Sequence, residues 1–194
     1  RQWSDDTVRT GPLLSEAASQ DRTRALYSAS DQTLAHLEGG AELSTKGTGA
    51  IFGPFATGDP SLAFDGDPST AWLFGHFGTG AGNSVTAHLD QARPVGVVTL
   101  RLRSSPGVRI TGVRVRGEGR GGSVVATATP GDWDSFPASV DLGTRPLDRI
   151  TIEVTKTKGV GMGWVGFREI EAAGVRLTKV ARTPVGLPQR LAAG

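Results

Sequence analysis

Residues 95–115 read VGVVTLRLRSSPGVRITGVRV, and this stretch decides the fold class. Val98, Leu100 and Leu102 alternate with Thr99 and Arg101, and Val113 and Val115 flank Arg114. A repeat of two sends successive side chains to opposite faces, so each half reads as a β-strand with one apolar and one polar face. Ser104-Ser105-Pro106-Gly107 between them is turn chemistry.

The same period runs outward in both directions. Residues 83–89 (NSVTAHL) place Val85, Ala87 and Leu89 on one face, and residues 123–128, 139–142, 149–154 and 167–175 continue the series. Gly-rich or Pro-Gly clusters at 117–122, 130–132 and 159–163 separate them. Many short strands at this spacing predict an all-β sandwich or barrel. The use of 28 Gly and 11 Pro agrees.

Residues 1–40 have another character. Ser15–Glu38 is rich in Ala, Ser, Gln and charge, and Leu26, Leu34 and Leu37 form a helical stripe with Ser15 or Asp21 as cap. The expectation is a short helical N-terminal lead-in stopped by Gly39-Gly40, pinned to the sandwich by Trp3 and Tyr27. Residues 41–176 form the β-domain and 177–194 a strand end followed by a tail. The chain opens on Arg1-Gln2-Trp3 and its single Met is Met162. It is therefore expected to be a piece of a longer protein.

Composition narrows the function classes. Net charge is +2 with a pI near 9.4, and apart from arginines such as Arg101, Arg103, Arg109, Arg114, Arg116 and Arg120 the charges are interspersed. That balance disfavours a nucleic-acid partner and is compatible with an anionic glycan or membrane surface. The absence of Cys excludes disulfides and thiolate chemistry. Apolar runs stay well short of the roughly 20 residues that span a bilayer. An enzyme is disfavoured too. His36, His76 and His88 have no metal or triad spacing, Asp132 and Asp134 share one loop, and the GEGRGG run at 117–122 reads as a hairpin turn. Trp133 is a loop aromatic and His88 a surface residue.

The chemistry concentrates in SLAFDGDPSTAW, residues 61–72. Asp65-Gly66-Asp67 is a tight turn offering carboxylates and carbonyls, and Ser69 and Thr70 add hydroxyls. A dense set of hard oxygens suits Ca²⁺, which takes about 6–8 of them. An Asx turn capped by Asp65 explains the same residues without a metal. The following run, Trp72-Leu73-Phe74-Gly75-His76-Phe77, holds three aromatics and an imidazole. Such groups can bind a sugar, although a large aromatic after a turn also packs inward.

The segment AFDGDPSTAW, residues 63–72, resembles the signature of the discoidin, or coagulation factor 5/8 type C, superfamily, which includes the family 32 carbohydrate-binding modules. Residues 84–90, 97–102, 149–154 and 164–174 resemble its later strands in order, so the likeness spans about 41–176. It implies a jelly-roll-like, galactose-binding-domain-like β-sandwich with a structural Ca²⁺. Carried over by position, the ligands are Asp65, Asp67, Thr70, a carbonyl near Ala63, and Glu169. In FREIEAA, Phe167, Glu169 and Glu171 share one face of a strand, so either at least one glutamate lies inward or at a rim, where a cation would offset its burial, or that face is simply solvated. The resemblance places the ligand in loops at one end of the sandwich, with Trp72, Phe74, His76, Arg103 and Trp164 as its contacts. Arg101 and Arg103 also read as a solvated strand face. Galactose-binding relatives have a His directly after the signature Trp, where this chain has Leu73, so galactose specificity is not carried over.

A Gly-rich, Arg-heavy version such as this also resembles modules of actinobacterial cell-wall arabinofuranosyltransferases. The implied function is a non-catalytic, extracytoplasmic carbohydrate-binding module of a larger protein, its partners a glycan of arabinan or galactan type and the rest of the parent polypeptide. The competing expectation is a structural, protein- or lipid-binding discoidin-like domain, with Phe74 and Phe77 as apolar spikes at a membrane.

Overall fold

The alternating stretches on either side of Ser104-Ser105-Pro106-Gly107 enter different sheets. In the computed structural model, which describes residues 34–47, 58–75, 80–130, 137–159 and 163–182, the chain divides into two units: Gly39–Leu177, and Arg1–Glu38 with Thr178–Gly194.

The second of these holds two strands, β1 (Leu34–Glu38) and, at the far end of the chain, β11 (Thr178–Arg182). They pair antiparallel, from Leu34 opposite Arg182 to Glu38 opposite Thr178. The expected helix is thus replaced by a strand at Leu34–Glu38. The Leu34 and Leu37 spacing of three is weak evidence against a remote strand that pairs with the backbone from Leu34 to Glu38. The rest of the predicted lead-in, with Trp3, Ser15, Asp21 and Tyr27, lies outside the described residues, as does the tail beyond Arg182.

Gly39–Leu177 contains β2 (Ala41–Lys46), a 3₁₀ turn (Pro60–Ala63), β3 (Trp72–Phe74), β4 (Ser84–Pro94), β5 (Val97–Ser104), β6 (Val108–Gly119), β7 (Gly122–Ala128), β8 (Ala138–Asp141), β9 (Pro146–Gly159) and β10 (Val165–Glu171). One sheet has the order β3-β10-β5-β8 and the other β2-β4-β9-β6-β7. Every pairing is antiparallel. The predicted all-β sandwich is what forms.

Alternation decides the inner faces. Val98, Leu100 and Leu102 of β5 are buried, as are Val85 and Ala87 of β4, Ile150, Ile152 and Val154 of β9, and Val113 and Val115 of β6. Each such aliphatic side chain contributes on the order of 1.5–3 kcal/mol of apolar burial. On β5 the outward row is Val97, Thr99, Arg101 and Arg103.

Two irregularities break the simple period. In β6 the register shifts around Gly112, which carries the apolar phase from Ile110 to Val113. In β10 a bulge at Arg168 lies between Phe167, opposite Leu102, and Glu169, opposite Arg101. One extra residue reverses every side chain beyond it. Phe167, Glu169 and Glu171 therefore do not share a face. Phe167 points into the sandwich and is fully buried, while Glu169 and Glu171 stand on the outer side with Arg101 and Thr99.

Candidate functional site

The loop between the 3₁₀ turn and β3 is built from side chains that cap backbone groups. Asp59 accepts from the Ser61 amide at 2.9 Å and its hydroxyl at 2.6 Å, starting the turn. Asp65 Oδ1 accepts from the Asp67 amide at 2.9 Å, the Asx turn that the Asp-Gly-Asp sequence allows. Gly66 takes φ +74°, and the Arg176 guanidinium lies 2.9 Å from where a Cβ there would stand. Asp67 turns its carboxylate to Ser69, accepting from its amide at 2.8 Å and hydroxyl at 2.6 Å. The hydroxyl and amide of Ser69 hold the Asp67 carboxyl below its ordinary value.

At the centre stands Thr70 Oγ1. It lies 3.1 Å from the Leu62 carbonyl, 2.9 Å from the Asp67 carbonyl, and 2.9 and 3.1 Å from the two oxygens of Asp65. A hydroxyl has one proton, so it cannot satisfy four acceptors. Backbone amides share the load: Asp65 Oδ1 also accepts from the Asp67 amide and the Asp67 carbonyl from the Thr70 amide.

Glu169 approaches the same loop from β10. It is only 7% exposed, and its Oε2 is buried without a hydrogen-bond partner. Its carboxyl is pushed up to about 7, first by burial, then by the Asp65 carboxylate; a hydrogen bond from the Gly66 amide and the charge of Arg176 act in the opposite direction. Among the described residues no three His, Cys, Asp or Glu side chains converge as a metal cluster. What converges is two carboxylates, one hydroxyl and backbone carbonyls. A cluster of oxygens beside an orphaned buried carboxylate oxygen, Glu169 Oε2, fits a hard cation of the calcium type.

Not every oxygen gathered around Thr70 is one expected of the loop. The carbonyl near Ala63 that reaches Thr70 is that of Leu62, while Ala63 itself is fully buried. Asp67 presents its carbonyl and not its side chain. A one-residue choice of carbonyl depends on the 3₁₀ geometry, which composition does not reveal.

A second group forms where β3 and β5 end and β10 begins. Val165 pairs with both Phe74 and Ser104, which brings three strand ends together. Ser105 and Trp164 lock the end: the Trp164 amide donates to Ser105 Oγ at 2.8 Å, and the Ser105 amide donates to the Trp164 carbonyl at 2.9 Å. The Arg103 guanidinium lies 5.9 Å from the centre of the Trp164 ring, within cation–π range. Both residues are half-buried. Ser105 was legible only as part of a turn, since its bond to Trp164 spans 59 residues.

Trp72 and Phe74 turn their rings away from solvent at this end. Trp72 is 4% exposed and Phe74 1% exposed, so neither offers a ring face to a ligand. Both belong to the core. The Trp72 ring stacks on Phe167 with centroids 6.0 Å apart and planes at 18°, and it lies 4.5 Å from Phe74. The physical reason is the inner face of a short strand between two sheets, which claims large rings for burial. With Phe74 buried, one of the two proposed membrane spikes is lost. His76 and Phe77 lie outside the described residues, as do Trp133, Asp132 and Asp134. His88 is exposed and bonds Ser44 at 3.0 Å. No helix among the described residues is long and apolar enough to cross a membrane.

No family model and no curated sequence matches the chain. Solved structures do. The mycobacterial arabinofuranosyltransferase AftD superimposes with a TM-score of 0.62 at 16% identity, over 79% of this chain and 12% of that one. The chain thus spans about an eighth of that enzyme's length. The family 32 carbohydrate-binding module of C. perfringens NanJ, solved with galactose, gives 0.50 at 20% identity over 69% of this chain and 97% of that one. Chitosan-binding module 2 of a Paenibacillus chitosanase/glucanase, solved with chitotriose, gives 0.53 at 15% over 70% and 97%. An F5/8 type C domain from Bacteroides fragilis gives 0.50 at 15% over 71% and 97%. Gly39–Leu177 is therefore a β-sandwich of the discoidin-like, galactose-binding-domain-like fold that these modules share.

Proposed function

We propose that this sandwich is a non-catalytic carbohydrate-binding module of a larger extracytoplasmic protein. The observation that carries the reading is the Trp164–Arg103 pair, half-buried at the end where β3, β5 and β10 meet. Sugar recognition needs an aromatic face for the C–H surface of a ring and fixed donors for its hydroxyls. Trp164 supplies the first and Arg103 the second, and the paired Ser105–Trp164 bonds fix the backbone that carries the indole before a ligand arrives. Preorganisation of this kind lowers the cost of binding. The solved neighbours with galactose and chitotriose support the ligand class.

The oxygen node under the 65–70 loop is the proposed Ca²⁺ site, with Asp65, Thr70, Glu169 and the carbonyls of Leu62 and Asp67 as its holders. Bound there, calcium would neutralise the two carboxylates and tie the loop to β10. Its role is structural. The likeness to part of a mycobacterial arabinofuranosyltransferase supports attachment to a cell-wall enzyme and a glycan of arabinan or galactan type.

A glycan array with the 194-residue chain, run with calcium and with chelator, tests the reading. Binding to such a glycan, lost in Trp164→Ala at an unchanged melting temperature, supports it. Absence of binding to any glycan would overturn the sugar role and leave a structural or protein-binding domain.

A further inference from the structure

The outer face of the β3-β10-β5-β8 sheet carries an open concavity of about 760 Å³. It lies beside the loop end, not in it. Among its lining residues are Thr99 and Arg101 from β5, Arg168, Glu169 and Glu171 from β10, and Arg176 beyond β10, so three guanidinium groups face two carboxyls. Three guanidinium groups thus come from three places in the chain to one depression.

These cations are only partly committed. Arg101 meets Glu171 through Nε alone, at 2.8 Å, so both of its terminal amino groups remain as donors. Arg168 is the bulge residue of β10, and its Nε is buried with no hydrogen-bond partner. A planar guanidinium presents a fork that matches an oxyanion, and a buried unpaired N–H strengthens the demand for one.

The depression stops at Arg101, one outward position short of Arg103 on the same strand. Val97, Thr99, Arg101 and Arg103 are successive outward positions of β5, and neighbours in such a row are about 6.6 Å apart. Arg103 at the end of the row holds Trp164. A chain of sugar rings seated on Trp164 and running down β5 would bring its next residues over Arg101 and Arg168.

We infer that this face extends the glycan site and selects a saccharide bearing an oxyanion, a uronate or a phosphate, over a neutral one. The inference rests on the carbohydrate-binding reading for the sugar, and on the three arginines for the charge.

Calorimetry with the full chain tests it, using a galacturonate oligosaccharide, its neutral galactose counterpart and a phosphorylated galactose oligosaccharide. At least one acidic ligand is expected to bind about tenfold or more tighter than the neutral one at low salt, and the preference should shrink in ~0.5 M salt. Which acid wins identifies the oxyanion. In Arg101→Gln/Arg176→Gln, both exposed positions, the acid-to-neutral ratio should collapse toward one at an unchanged melting temperature. Equal affinity for acidic and neutral oligomers would overturn this inference alone, and so would a preference that survives the double variant. Binding of none of the three would overturn the carbohydrate-binding reading with it.

Discussion

The Glu169 carboxyl accepts a hydrogen bond from the Gly66 amide, next in sequence to Asp65, and burial with the Asp65 charge pushes it up to about 7. The consequence is a stability that depends on pH. The folded chain keeps this proton up to about pH 7, whereas the ordinary value in an unfolded chain is 4.5. Between these values the native state binds more protons, so stability falls as pH rises through the window and levels off above it. The loss is at most on the order of 3 kcal/mol. Melting curves in chelator should show this decline, and Glu169→Gln should lack it. Calcium at the node should also remove it, because a cation favours the carboxylate.

Thr70→Val removes the oxygen that gathers Leu62, Asp65 and Asp67. In chelator the cost should be modest, about 1 kcal/mol for the lost hydrogen bonding. The larger effect is expected with calcium, where the rise in melting temperature expected for the unaltered chain should mostly disappear. A full calcium response in Thr70→Val would argue against this node as the metal site.

The Trp72–Phe167 stack ties β3 to β10 at the sandwich core. Phe167→Ala should cost about 3–5 kcal/mol, the range for a large aromatic removed from a packed site. Gly166→Ala tests the same contact through the backbone. Its Cβ would fall 1.9 Å from the Trp72 carbonyl oxygen, so β3 must separate from β10. Urea unfolding should show both variants destabilised, and a near-neutral Gly166→Ala would contradict the close strand approach.

Arg103→Ala should weaken glycan binding and alter the Trp164 environment without unfolding the domain, since Arg103 is half-buried and outward. Difference fluorescence between the variant and the unaltered chain reads the second effect. A Trp164→Phe variant should retain part of the affinity, because a smaller ring keeps an apolar face.

Much was legible in the residues themselves. The period of two at Val98–Leu102 and Val113–Val115 sufficed for the sandwich, because a strand's side chains alternate regardless of what covers them. The oxygen-rich loop was legible for a similar reason. Asp65 to Thr70 are within five residues, so a turn alone brings them together. At Leu34–Glu38 a strand stands where a helix end was expected because its competitor, Thr178–Arg182, is remote in the chain, and only pairing reveals it.

What the residue order determined by itself is therefore local: strand phase, turn positions, and the donor types gathered at 61–72. Tertiary structure decided everything that depends on a neighbour from far along the chain. It turned Phe167 and Glu169 to opposite faces through a single bulge residue, and it sent Trp72 and Phe74 into the core. It also brought Ser105 and Arg103 to Trp164. The physical reason is that a side chain's partner is selected by register and packing between strands. One residue of slippage there reverses a face, while leaving the local pattern almost unchanged.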